Sequence, residues 1–550
     1  MSAWLRRGAA RRVAASGAVA GASLAAALVL AAPAWADASA DSGVAAEGHI
    51  IARVDILRGN VFFPQPGSRF GAPLRLANRL HIRTRAGTIR SQLLFEPGNR
   101  WSEDRARETA RILRGLNYLD PIRVEARLEG DSAVATVETH DLWTLDPRID
   151  IASAGGKQVG SFGLTDRNLF GYGKSLDFSY RDDANGISRH IAFDDPSLAG
   201  SHHQLHYAAG KGVEGANDEV ALGLPFYAER VVRAYSGSWS RSTYVTHLLS
   251  NGDETASFNE RNERAELWYG GRRPDGKTIQ RLIGSFELWD RRLGPSRLQP
   301  GAPPRFAGGE ENIRIRRLSG ESVWWRPTFI EHKNVDRFTR TEDFDLSPLF
   351  ALKLGIAPRP LGSTYDEGYV RIRASLGADT RFGFGWVRGS GSSRVVTRSV
   401  ERVIQLDMRW YAHLRPMHLL ALGASGVSGA NTLRDFQVGA GGLNGLRAYP
   451  INAVAGAQLW RLNAEERWRF SPARWQFIII GSAVFFDAAK AWGAGAANSS
   501  WYRDAGVGLR VGIPSWGISE LLRVDLAWPI EPKLNGTNKP VLTFGSSQAF

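Results

Sequence analysis

From about residue 148 onward the chain alternates between apolar and polar positions. Ile404, Leu406, Met408 and Trp410 take one parity, and Gln405, Asp407, Arg409 and Tyr411 take the other. Ala505, Val507, Leu509, Val511 and Ile513 oppose Asp504, Gly506, Gly508, Arg510 and Gly512. Leu176, Phe178 and Tyr180 likewise oppose Ser175, Asp177 and Ser179. Around residue 465, Arg461, Asn463, Glu465, Arg467 and Arg469 share a parity against Trp460, Leu462, Ala464, Trp468 and Phe470, with Glu466 interrupting the apolar side. Successive side chains of a strand point to opposite faces, so a period of two predicts strands with one apolar and one polar surface. In a soluble sandwich the apolar face meets a second sheet, whereas in a membrane barrel it meets lipid and the lumen takes the polar or small residues. The 18 Trp and 25 Phe, many near strand ends, favour the barrel with aromatic girdles. At roughly 25 residues per strand and connection, residues 148–550 predict about 16 strands, with about 14 or 18 also compatible. The expected fold is mainly β, a transmembrane antiparallel β-barrel.

Residues 48–147 follow another pattern. Ile50–Leu57 reads as a strand ending at Gly59-Asn60, and Thr88–Phe95 as a short helix closed by Pro97-Gly98. Ser102 is placed to cap a helix whose Ala106, Ala110, Leu113 and Leu116 form one stripe, with acids in its first turn. Strands Ile122–Leu128 and Ala133–Thr139 follow, joined at Glu129-Gly130-Asp131-Ser132. The order β-α-α-β-β predicts a small α+β domain.

Residues 1–36 read as a signal peptide. Arg6, Arg7, Arg11 and Arg12 precede an Ala/Val/Leu-rich run that ends in Ala34-Trp35-Ala36. Removing those four arginines lowers the net charge from +14 to +10. This excess is dispersed rather than gathered in a basic run, so nucleic acid is not an expected partner. The chain has no cysteine, so an exported fold must hold by its core or by a closed sheet rather than by disulfides. The longest apolar run after residue 36 is Phe477–Phe486, too short for a spanning helix. Hydrolase, zincin, P-loop and dinucleotide motifs are absent from the mature sequence, so no enzymatic activity and no cofactor is expected. In Ser201–Tyr207, His202, Gln204 and His206 would share a strand face, but no third ligand is evident, and no metal is expected.

Several stretches carry a resemblance. The module containing "LLFEPGNRWSEDRARETARILRGLNYL" and the valine-rich hairpin after it resembles a POTRA domain, a periplasmic polypeptide-binding unit. Thr165–Leu176 ("TDRNLFGYGKSL") resembles the segment that opens the barrel of the superfamily of BamA, TamA and the two-partner-secretion transporters. Gly441–Pro450 ("GGLNGLRAYP") is similar to the tip of that family's long extracellular loop, which folds back into the lumen. "LNAEERW" and "FFDAAKAWG" are similar to its next two strand motifs, and they arrive in the family's order. Leu542, Phe544 and the terminal Phe550 share a face of the last strand and resemble the C-terminal signal of outer-membrane barrels. The stretch 61–87 reads as an insertion in the POTRA-like module, and Ala448 stands where relatives usually have glycine.

The resemblance implies an outer-membrane barrel with its N-terminal domain in the periplasm. Expected partners are unfolded outer-membrane or secreted polypeptides, outer-membrane lipid, and accessory periplasmic or lipoprotein subunits. It also implies that Arg447, presented by Gly441, Gly442, Leu446 and Tyr449, pairs inside the lumen with Asp487 and Glu465. Three functions stay open: an assembly or insertion factor, a dedicated polypeptide-secretion pore, and a passive porin-like channel. Secretion pores of the two-partner kind usually add a plug helix, for which the short stretch between Asp37 and the first strand leaves little room.

Overall fold

The computed structural model describes residues 46–63, 71–154, 157–183, 186–250, 253–338, 340–396, 399–442, 444–470, 478–493, 500–515, 521–531, 539–545 and 548. The expected signal peptide and Phe550 lie outside these residues.

The N-terminal module is a three-stranded sheet with helices on it. Strand β1 (Ile50–Gly59) lies parallel to β3 (Ser132–Asp141), and β2 (Leu119–Glu129) pairs antiparallel on the other side of β3. Both β1 and β2 are therefore edges of this sheet. Helix α3 (Glu103–Gly115) buries Ala106, Ala110 and Leu113. Ala106 and Leu113 share a core with Ile51, Ile89, Trp101, Leu119 and Val137. Ser102 is extended and makes no side-chain cap; the Glu103 amide donates instead to Glu47 Oε2 at 2.8 Å. The short helix expected over 88–95 is a five-residue turn of helix, α2 (Ala86–Arg90). The 61–87 stretch contains a further helix, α1 (Gly71–Leu80), so the order is β-α-α-α-β-β. Pro73 is tolerated in its first turn, but no acid there marks the N-terminus in the sequence.

Leu145–Ala154 then enters a closed antiparallel barrel, in which twenty strands and the two-residue segment Arg297–Leu298 are described. The expected number near 16 was too low because the connections are tighter than a barrel average. Strands Gln204–Gly212 and Gly215–Leu224, Asp253–Asp275 and Thr278–Leu293, and Glu367–Thr380 and Gly383–Val395 are each joined by two residues. The alternation sorts the two faces as lipid and lumen require. Val507, Leu509, Trp460, Leu462, Ile480, Val484 and Phe486 are exposed on the outside, while Asp504, Arg510, Glu465, Asp487 and Phe485 are buried within.

The barrel closes where the last strand, Val541–Gly545, meets Leu145–Ala154. Thr543 lies opposite Ala152 and Phe544 opposite Ile151, the two described pairs of that junction. Leu145–Ala154 is paired along its whole length with Lys157–Asp166 on its other side. A wide barrel leaves a lumen that side chains alone do not fill, and two connections fold into it. One, residues 431–457, enters from the end away from the module. The other, 326–348, enters from the module end and carries the hairpin Phe329–Lys333/Thr341–Asp345.

Candidate functional site: an arginine cluster in the lumen

The 431–457 loop turns back on itself through glycines at positions that need them. Gly441, Gly442 and Gly445 have φ of 140°, 62° and 88°. A Cβ on Gly441 would sit 1.9 Å from the Pro450 carbonyl oxygen, and one on Gly442 would sit 2.7 Å from Ile451. The Gly442 amide donates to the Tyr449 carbonyl at 2.8 Å and closes the tip. Ala448 keeps an ordinary negative φ, so alanine costs nothing where relatives usually have glycine. Its amide donates to Asp504 Oδ2 at 3.1 Å.

Leu446, Ala448 and Tyr449 pack with Phe436, Val438, Leu459, Phe485 and Tyr502 into an apolar core inside the barrel. The Tyr449 hydroxyl donates to the Arg503 and Glu531 carbonyls at 2.9 and 3.1 Å. The base of the loop is tied across the lumen. Gln437 exchanges hydrogen bonds with the Leu249 backbone, Asp435 pairs with Arg291, and Arg434 donates to the Gly294 and Gly309 carbonyls at 2.6 and 2.7 Å.

This arrangement delivers Arg447 into a nest of carboxylates. Its Nε and Nη2 donate to the two oxygens of Asp487 at 2.7 and 3.0 Å, a forked contact. Its Nη1 donates to Glu465 at 2.9 Å and to Asp525 at 3.2 Å. The guanidinium lies 3.3 Å above the centre of the Phe485 ring. Asn463 holds Asp487 Oδ1 at 2.7 Å and so orients the acceptor. Arg510 bridges Glu465 and Asp525 at 3.1 and 2.5 Å, Arg523 adds a 2.6 Å bond to Asp525, and Arg467 adds one of 3.0 Å to Glu465. Arg447, Arg467, Arg510 and Arg523 thus pair with Glu465, Asp487 and Asp525, while Asp504 takes the Ala448 amide, and all eight have at most 5% of the residue exposed. A buried charge is tolerable when its partners are in place and costly when one is removed.

The hairpin from the module end reaches the same cluster. Arg467 Nη1 donates to the Val335 carbonyl at 3.1 Å and to Asp336 at 3.2 Å. The hairpin tip is preformed, because Glu342 accepts the amides of Val335, Asp336 and Arg337 at 3.0, 3.1 and 3.2 Å. At its other end Arg114 of α3 forks onto Asp343 at 2.8 and 2.6 Å and also pairs with Glu331. Burial alone would lower the Arg114 pKa, but Asp343 and Glu331 outweigh it and hold the pKa above its ordinary value. A chain of ion pairs and hydrogen bonds therefore runs from α3 through the hairpin and Arg467 to Glu465 and Arg447.

The structure brings Gly441, Gly442, Leu446, Arg447, Tyr449, Asp487 and Glu465 together. Leu542 and Phe544 lie exposed on the outer face of the last strand, apart from the cluster. Asp504, Asp525, Arg467, Arg510 and Arg523 were not singled out as partners from sequence, although the alternation of 504–513 had already put Asp504 and Arg510 on one face. The histidines of 201–207 do not converge. His202 stacks on Tyr227 at 3.7 Å, His203 bonds Tyr235, and His206 pairs with Asp194.

The comparisons with known proteins bear on the segment that holds the cluster. Residues 426–550 match the model of the Omp85 superfamily domain. The matched residues include the loop tip and the four carboxylates and four arginines of the cluster. Among solved structures, BamA from Haemophilus ducreyi lacking POTRA domains 1-3 is 13% identical over 90% of this chain and 84% of its own, with a TM-score of 0.42. CdiB from Escherichia coli is 11% identical over 91% and 77%, with a TM-score of 0.46. CdiB from Acinetobacter baumannii is 13% identical over 90% and 73%, with a TM-score of 0.42. No curated protein matches the chain.

Proposed function

We propose that this protein is an outer-membrane assembly factor that receives unfolded polypeptide on its periplasmic side and assists its insertion into, or passage across, the membrane. On this reading residues 48–147 are a single POTRA domain, 148–550 the barrel, and 1–36 an export signal. Edge β2, and edge β1 beyond Ile51, whose backbone bonds Gly98 and Asn99, would offer main chain to an extended polypeptide, a mode of binding that tolerates many sequences. Accessory periplasmic or lipoprotein subunits are further partners on that side. The observation that carries the proposal is Arg447, held by three carboxylates at the tip of an in-folded loop within an Omp85 domain. Arg447 is the latch that seats the loop, and Asp487, Glu465 and Asp525 are its catch.

The junction between the first and last strands, with two pairs among the described residues, supports insertion over secretion. Unpaired strand edges template pairing and are normally avoided, so a junction with few ladder bonds is the place for a nascent strand to enter. A passive channel is disfavoured because loop 431–457 and hairpin 326–348 occupy the lumen from opposite ends. Depletion of the protein followed by a census of the outer-membrane proteome tests the reading. Loss of many different barrels is the expected result. Loss of one exported protein would support the secretion pore instead, and an unchanged outer membrane would reject both.

A further inference from the structure

Helix α1 presents two stripes to solvent. Leu76 and Leu80, four residues apart, are 57% and 70% exposed, and Ile82 just beyond the helix is 53% exposed. Arg75 and Arg79 form the adjacent exposed stripe, which Arg83 continues. No acidic residue occurs between Asp55 and Glu96. The opposite side of the helix is occupied: Leu74 is buried, and Asn78 exchanges hydrogen bonds of 3.1 and 2.9 Å with the Phe62 backbone.

The segment following α1 is bonded to the rim of the barrel. The Arg85 amide donates to the Gly171 carbonyl at 3.0 Å, and the Thr88 hydroxyl donates to the same oxygen at 2.9 Å. Asn168 donates to Thr84 Oγ1 at 2.7 Å. These partners lie in the turn between strands Lys157–Asp166 and Ser175–Asp183. There Gly171, with φ 76°, lets the chain approach so closely that a Cβ would meet the Arg83 carbonyl at 2.6 Å. In the same turn Phe170 is held at φ 54° with 60% of the residue exposed, and Tyr172 is 45% exposed beneath the Arg85 guanidinium. A bulky residue at positive φ is unusual and marks a turn whose surroundings fix it. Here it sets an aromatic ring at the point where the outer belt of Leu164, Leu176 and Phe178 ends.

We infer that α1 lies on the membrane, with Leu76, Leu80 and Ile82 in the interface of the leaflet at the module end, and that Arg75, Arg79 and Arg83 bind anionic phospholipid headgroups. Two observations select lipid as the occupant. The segment that follows the apolar stripe is hydrogen-bonded to the rim where the lipid-facing belt ends, and the flanking stripe is purely cationic. An exposed leucine stripe beside an arginine stripe is how a short helix lies in an interface, and each basic group near an anionic surface adds to the attraction. The inference rests on the reading of the barrel as membrane-spanning.

The absence of native cysteine makes the test direct. Single variants Leu76→Cys, Leu80→Cys, Asp131→Cys and Val507→Cys of the full chain are labelled with an environment-sensitive fluorophore. They are placed in nanodiscs of phosphatidylglycerol and phosphatidylcholine that contain doxyl-labelled lipid quencher. Position 507 reports the outer belt and position 131 the far turn of the module. Labels at 76 and 80 should be quenched like that at 507 and several-fold more than that at 131. The added changes Arg75→Glu and Arg79→Glu should cut this quenching roughly by half or more, as should pure phosphatidylcholine. Quenching at 507 with none at 76 and 80 would overturn the inference while leaving the membrane barrel intact. No quenching at 507 would reject the barrel reading itself. Shielding at 76 and 80 only in discs that hold two copies would assign the stripe to a dimer and overturn the lipid assignment.

Discussion

Arg447 is fully desolvated yet has acceptors for each of its three nitrogens, so its role turns on what remains when it is removed. Arg447→Ala leaves Asp487 without its fork and removes one of the donors to Glu465 and Asp525. Removing one partner of a buried ion pair typically costs about 3–5 kcal/mol, while the backbone ladder of a closed barrel stays intact. We therefore expect Arg447→Ala to give a folded, heat-modifiable barrel that fails to complement a depletion strain. An absent or unfolded variant would show that the arginine serves stability instead. Arg447→Lys keeps the charge but loses the fork and the flat contact with Phe485. It should retain partial function, as should the charge-swapped pair Arg447→Asp/Asp487→Arg, whereas Asp487→Ala should resemble Arg447→Ala. Gel shift on heating and complementation read these outcomes together. At this scale the sequence was partly legible: the alternation along 460–470 and 478–487 puts Glu465 and Asp487 on one side of their strands. It does not give distances across a lumen, and Asp525 was missed for that reason. The Arg523-x-Asp525 spacing, amid the apolar residues of 521–530, was the available signal.

The elements around the cluster act through geometry rather than charge. Gly441 has φ 140° and less than 2 Å between a built Cβ and the Pro450 oxygen. Gly441→Ala should thus unseat the loop tip without touching an ionic group, and its complementation defect should match that of Arg447→Ala. Full activity of Gly441→Ala would separate loop conformation from function. The hairpin 326–348 closes the lumen from the other end. Replacing 329–345 by a short Gly/Ser linker should raise steady conductance in planar bilayers, and unchanged conductance would mean that loop 431–457 alone seals the barrel. Neither α1 nor this hairpin was legible in the sequence. The lack of acids in its first turn hides α1, and the hairpin strands are five residues each, with partners that exist only inside the lumen. Helix α3 was legible to within a few residues, and the alternating segments at 175–180, 404–411, 460–470 and 504–513 all fall, to within a residue, on barrel strands.

For the whole molecule, the fold class follows from the alternation, because a closed barrel in lipid needs strands with one apolar face and one polar or small face. Strand number does not follow, since it depends on connection length rather than on pattern. Twenty described strands enclose a lumen wide enough to admit both in-folded segments, and those segments join the N-terminal module to the loop tip through Arg114, Asp343, Asp336, Arg467 and Glu465. At the junction of first and last strands the described pairs are Thr543–Ala152 and Phe544–Ile151. The most direct test reconstitutes the full chain in liposomes, adds a urea-unfolded outer-membrane barrel outside, and follows its heat-modifiable folding with time. The native chain should speed that folding well above empty liposomes, and Arg447→Ala should fall back toward the empty-liposome rate. Equal folding rates with the native chain, with Arg447→Ala and with no protein would contradict an assembly role.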